Sequence, residues 1–232
     1  MSKKQYFLVI DVEGTRSQKV YDIGFVVTDR NGNICQKFSG VVAEIFFGWR
    51  EEMKTSYYNR KIPKYLDSIG NLQTNVFSFE YIRQQIFKAI QQYAVTAICA
   101  YNIQYDKNAL NKTLSLLTNG LETEYFPTGT IFYDIWGMAC QVLCTQKHYI
   151  QLAIQENWIT NSGNMQTSAE FVYRYITKDI TFEEEHTGLA DCLIEVSIFI
   201  KCIKQHKTMI RTVIGNPWRL AQPKYREIIN AL

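Results

Sequence analysis

The stretch YFLVIDVEGT, Tyr6 to Thr15, constrains the fold of this chain more than any other. Five consecutive apolar residues, Tyr6 to Ile10, predict a strand buried on both faces, as in the centre of a covered sheet. Such a strand ends here in two acids, Asp11 and Glu13. Residues i and i+2 of a strand face the same way, about 6.6 Å apart. Carboxylates this close repel unless a cation lies between them. Gly14 follows and permits the close approach of a backbone or a ligand. Taken alone, a solvated acidic turn explains the pattern as well as a metal site does.

The chain continues in a way that places this strand. Lys19–Thr28 reads as a second strand, Asn31-Gly32 as a hairpin turn, and Ile34–Val42 as a third, so three antiparallel strands open the fold. Residues 44–75 read as irregular, either an insertion covering a groove or a loop packed on the core. Ser78 is an N-cap for a helix to about Tyr93, with Phe79, Ile82, Ile86, Phe87 and Ile90 on one stripe. Val95–Ala100 is a fourth strand, and a helix carrying Leu110, Leu114 and Leu117 stops at Asn119-Gly120. Thr130–Tyr133 is a fifth strand leading to Asp134, followed by helices from Trp136, over Gln166–Ile176 and over His186–Ile203. A meander followed by alternating helix and strand predicts a mixed α/β sheet of five strands with helices on its faces. Residues 1–210 form the domain, and 211–232 read as a C-terminal appendage.

Composition excludes several classes. With 25 Lys plus Arg against 22 Asp plus Glu, the net charge of +3 is too small for a protein that merely coats nucleic acid. No apolar run reaches the length of a membrane span, and the N-terminal MSKKQ has no apolar signal segment, so a cytoplasmic protein with no membrane partner is expected. The six cysteines form no CxxC pair and most lie within apolar stretches, so reduced, buried thiols are expected. Cys140, Cys144 and His148 recur every four residues on one helix face, but the outer two lie about 12 Å apart, too far to share a zinc ion without another partner.

Active sites in such sheets gather beyond the C-terminal ends of the central strands. Asp106 opens the helix after strand four and so belongs near Asp11 and Glu13, although acids in first helical turns are common anyway. Asp191 sits in an otherwise apolar helix, where a buried carboxylate needs a partner. His186 precedes it by five residues, about 140° around an ideal helix, so a shared site requires the ring to lie just before the helix, at Gly188. His148 and His206 read as surface residues. Three acidic elements and one histidine match two-metal hydrolysis of a phosphodiester, with Mg²⁺ or Mn²⁺ on oxygen ligands and His186 taking the proton of water.

The ordered set DVE (Asp11, Glu13), YNIQYD (Asp106) and HTGLAD (His186, Asp191), with the hairpin text DIGFVVTDRNGNI, resembles the three motifs of the DEDDh (DnaQ-like) exonuclease family over about Tyr6–Lys204. The resemblance implies a ribonuclease-H-like fold and 3′→5′ release of nucleoside monophosphates. It implies metal ligation by Asp11, Glu13, Asp106 and Asp191, with two Mg²⁺ or Mn²⁺ ions and His186 as general base. It also implies contacts to the terminal nucleotide from Gly14, Thr15 and Asn102. Two departures bear on that seating: Gly14 and Arg16 replace a Thr and a Gly of the family pattern, and Tyr101 stands where a His often begins the second motif.

The expected function is a metal-dependent 3′→5′ exonuclease on single-stranded DNA or RNA ends. The alternatives are a non-catalytic nucleic-acid-binding module on the same fold and a two-metal endonuclease. The substrate's sugar and any replication or repair partner are not encoded in these motifs.

Overall fold

In the computed structural model, residues 4–54 and 59–230 are described. Six strands form one mixed sheet: β1 (Tyr6–Gly14), β2 (Val20–Asp29), β3 (Ile34–Val42), β4 (Val76–Phe77), β5 (Ala97–Ala100) and β6 (Phe132–Asp134), in the order β4-β3-β2-β1-β5-β6. The first three strands pair antiparallel and the remaining pairs are parallel, so β1 lies inside the sheet with β2 on one side and β5 on the other. The sequence predicts five strands; the sixth is β4, two residues at the edge, too short to carry an alternating pattern.

The apolar run of β1 serves two cores. Phe7 and Val9 enter one with Cys99, Met138 and Phe199, while Leu8 and Ile10 enter the other with Ile23, Ile82 and Leu110. This alternation explains why Tyr6–Ile10 carries no polar residue: each side of the strand meets helices. On the second face lie α4 (Phe79–Tyr93) and α5 (Ile103–Leu117). The first face carries α6 (Ile135–Val142), α7 (Lys147–Gln155), α8 (Ala169–Thr177) and α9 (Gly188–Ile203). Among the described residues no helix is long and apolar enough to cross a membrane.

Ser78 caps α4, its hydroxyl accepting the Tyr81 amide at 3.2 Å. Ser78→Ala should therefore lower stability by about 1 kcal/mol, read as a lower urea midpoint with an unchanged slope.

The described part of the 44–75 segment, expected to be irregular, holds three short α-helices, α1 (Ala43–Phe46), α2 (Arg50–Met53) and α3 (Ile62–Gly70), and a 3-10 turn, Asn59–Lys61. Residues 55–58 of it lie outside the described residues. Both readings of this segment have a physical counterpart. Ile45, Phe46, Met53 and Tyr65 pack into the second core, and α3 borders a cavity lined by Asp22, Lys61 and Lys64.

The tail contains a 3-10 turn, Pro217–Leu220, and α10 (Gln222–Ile229). Ala221 and Tyr225 are buried in the first core, and the Gln222 amide exchanges hydrogen bonds with the backbone of Met165. Cys140 and Cys144 are buried, whereas His148 lies exposed on α7 beyond a bend, so these three do not share a helix face.

Candidate active site

The site lies at the C-terminal end of β1, between β2 and α9. Asp11 and Glu13 continue the row of Phe7 and Val9 and so face α9. Across the antiparallel pair, Asp11 is opposite Gly24 and Glu13 is opposite Asp22.

Two glycines set the position of α9. A Cβ added at Gly24 would stand 2.1 Å from the Gly188 carbonyl carbon, and one at Gly188 would stand 2.5 Å from the Gly24 nitrogen. Backbone meets backbone there, and the Gly188 amide donates to Asp22 Oδ2 at 3.1 Å. The start of α9 is thereby held directly on β2, which carries Asp191 over the end of β1.

His186 precedes the helix, with a left-handed backbone (φ 53°), and Thr187 is the N-cap. The ring thus lies at the helix mouth, as the five-residue spacing requires. Its Nδ1 is 4.0 Å from Asp191 Oδ2 and 3.7 Å from Glu184 Oε2. Ligand-capable atoms of Glu13, His186 and Asp191 all lie within 4.8 Å of one another. Asp106, in the first turn of α5, is 3% exposed and accepts the Val12 amide on Oδ1 at 3.2 Å, which fixes it against β1.

The expected nucleotide-contacting residues are held differently. Thr15 is buried, and its hydroxyl donates to Glu52 Oε1 at 3.1 Å while accepting the Lys19 amide at 3.1 Å. Its side chain is committed to the turn after β1. A Cβ on Gly14 would meet the Tyr105 hydroxyl at 3.1 Å, so this position keeps the tyrosine close. Asn102 is the left-handed N-cap of α5 (φ 71°), its amide donating to Asp134 Oδ1 at 3.2 Å. Arg16 is exposed.

Burial dominates the electrostatics. It is the main cause that raises Glu13 to about 9, Asp106 to about 8 and Asp191 to about 7. Asp11 is pushed well above the carboxylate range by burial and then by the charges of Glu195, Asp106, Asp191 and Glu13. His186 is lowered to about 4 by burial and then by the nearby Lys61 and Arg60, which keeps the imidazole neutral near pH 7.

The residues fit a hard divalent cation. Asp11 Oδ2 and Asp191 Oδ1 are buried without a hydrogen-bond partner among the described residues. Acids that raise one another's pKa in this way need a cation to stay ionised together, and oxygen donors suit Mg²⁺ or Mn²⁺.

This arrangement dictates a pH dependence in the ion-free protein. Glu13, Asp106 and Asp191 bind protons in the folded state at a pH where the unfolded chain has released them. Their contribution is complete below the unfolded carboxylate range and is lost as pH rises through about 7 to 9. Above the ordinary histidine range His186 is neutral in both states and does not oppose this. In EDTA the melting temperature should therefore fall from pH 7 to pH 9.5, and saturating Mn²⁺ should reduce that fall. A melting temperature that rose over this range in EDTA would contradict the assigned shifts.

Sequence reasoning missed Asp22, Lys61, Glu184 and Glu195. Asp22 is buried, accepts the Tyr65 hydroxyl at 2.6 Å as well as the Gly188 amide, and links α3 to the start of α9. Asp22 in KVYDIGFVVT and Glu195 in LIEVSIFI are single acids in apolar elements, a signal as clear as that of Asp191. Lys61, whose charge lowers Glu13 and Asp191, carries no such signal in its mixed-charge segment.

The sequence matches no family model and no curated protein. Among solved structures, an E. coli ExoI–ssDNA complex in its zinc-bound form matches over 99% of this chain at TM-score 0.50 and 12% identity. The fold is shared. This chain spans 43% of the length of that structure. Exonuclease X in complex with 5′-overhanging duplex DNA matches over 94% of this chain and 99% of its own, at TM-score 0.47 and 13% identity. The cell-death-related nuclease CRN-4 matches over 97% of this chain and 77% of its own, at TM-score 0.49 and 12% identity.

Proposed function

We propose that this chain is a metal-dependent 3′→5′ exonuclease that hydrolyses single-stranded nucleic-acid ends and releases nucleoside 5′-monophosphates. The observation that carries this reading is the grouping of Glu13, Asp191 and His186 at the end of β1, which also bears Asp11 and holds Asp106 through the Val12 amide. Asp11, Glu13, Asp106 and Asp191 would hold two Mg²⁺ or Mn²⁺ ions. Such ions, when bound, activate an attacking water and stabilise the leaving oxygen.

The remaining work belongs to the chain's own groups. His186 accepts the proton of the attacking water, for which an imidazole neutral at the working pH is required. Its place before α9, rather than within it, leaves the ring at the rim of the site. Asp22 holds that rim through the Gly188 amide. A cavity of about 380 Å³ lined by Asp22, Lys61, Lys64, Tyr65, Thr187 and Leu189 lies between α3 and the start of α9. Its lysines suit a phosphate backbone. Gly14, Thr15 and Asn102 would border the terminal nucleotide, with the Thr15 hydroxyl and the Thr15 and Asn102 amides holding the local fold.

Linear and circular single strands of the same sequence test the reading. Mononucleotides released from the linear strand, with the circle left intact, are expected. Cleavage of the circle would contradict it, as would binding of both without hydrolysis. His186→Ala should lower turnover by about 10²–10⁴-fold. It should keep the Mn²⁺-induced rise in melting temperature, because the carboxylates remain. Near-wild-type turnover by the folded variant would remove His186 from the role of base.

A further inference from the structure

Glu195 lies on α9 one turn after Asp191, a spacing that puts both acids on the same face. It is 3% exposed, and its Oε2 is buried without a hydrogen-bond partner among the described residues. The Tyr101 backbone amide, just past β5, donates a hydrogen bond to its carboxylate. The charges that act on it most, those of Asp106, Asp191 and Glu184, are all acidic. In turn, Glu195 is the charge that acts most on Asp11. A carboxylate buried among carboxylates costs more than a buried amide or leucine would in the same space, so packing alone gives no reason for an acid here.

The two acids of α9 address different parts of the site. Asp191 is grouped with Glu13 and His186. Glu195, one turn further along, lies instead by the Tyr101 amide just past β5, at the approach to the helix that carries Asp106. We infer that Glu195 is a fifth acidic ligand of the metal centre, completing its Asp11–Asp106 side with a buried oxygen that has no partner among the described residues. The inference rests on the metal-dependent reading above. It would give the second divalent ion a direct ligand from α9, the helix that His186 immediately precedes.

Mn²⁺ titration of the full chain, following free Mn²⁺ by electron paramagnetic resonance, tests this without reference to turnover. The wild type should bind two ions. Glu195→Gln, which preserves shape and the Tyr101 hydrogen bond, should weaken one of them by about 10–100-fold and leave the other within about threefold. Two ions bound with wild-type constants by Glu195→Gln would overturn the assignment while leaving the metal centre standing. Equal weakening of both ions would also overturn it, because that is the signature of a general structural role. If Glu195→Gln does not fold, Glu195→Asp decides: a selectively weakened ion supports the assignment, and unchanged binding of both overturns it. No Mn²⁺ binding by the wild type would overturn this inference and the proposed function together.

Discussion

Asp11→Asn should reduce turnover by at least about 10³-fold and yet give an ion-free protein that is more stable than the wild type. The loss follows from the several kcal/mol that metal-assisted charge stabilisation supplies, at tenfold per 1.36 kcal/mol. The gain follows from burial: Asp11 Oδ2 has no hydrogen-bond partner among the described residues, and the charges of Glu195, Asp106, Asp191 and Glu13 all oppose its ionisation. An amide of the same shape removes that repulsion. The variant should also lose most of the melting-temperature rise that Mn²⁺ gives the wild type, since ligand binding stabilises only the state that binds. Paired thermal scans with EDTA and Mn²⁺ check both effects. Equal Mn²⁺ shifts in the two proteins would remove Asp11 from the metal centre.

Gly24→Ala should destabilise the fold by about 3 kcal/mol or more, although it adds a single methyl group. The new Cβ would lie 2.1 Å from the Gly188 carbonyl carbon and 2.2 Å from the Leu189 nitrogen, so rigid backbone must move. Overpacking in a dense interior costs about 1–3 kcal/mol where side chains can shift, and more where only backbone is available. The displacement falls on the first turn of α9, which carries Asp191. The molecules that remain folded should therefore bind Mn²⁺ more weakly. Gly70→Ala, at the end of α3 with nothing within 4 Å of its new Cβ, is the matched control and should lie within about 0.5 kcal/mol of wild type. Urea unfolding of both variants gives the comparison.

The sequence made the site's outline legible because its acids are misfits. Asp11, Glu13 and Asp191 interrupt apolar runs, and a carboxylate placed in such a run needs a partner that the run itself does not supply. The first three strands, α4 with its Ser78 cap and α5 were readable because each is long enough for its periodicity to show. The two-residue β4 and the four-residue helices α1 and α2 have no period to read. The bend between α6 and α7 was invisible for a different reason: an i, i+4 pattern continued across it in Cys140, Cys144 and His148.

The contacts that complete the site were hidden by distance along the chain. The Tyr65–Asp22–Gly188 hydrogen bonds join residues 43 and 166 positions apart, and no local pattern specifies such a link. Gly24 and Gly188 look ordinary in the sequence, and only the crossing of α9 over β2 gives them their purpose.

Metal-dependent release of mononucleotides from a 5′-labelled single strand is the most direct measurement of whether these acids form a hydrolytic centre. Parallel reactions with DNA and RNA, in Mg²⁺, in EDTA, and in EDTA followed by excess Mn²⁺, suffice. The expected result is stepwise shortening from the 3′ end in Mg²⁺, none in EDTA, and recovery on adding Mn²⁺. Hydrolysis that persists in EDTA, or intact DNA and RNA under every condition, would contradict the account.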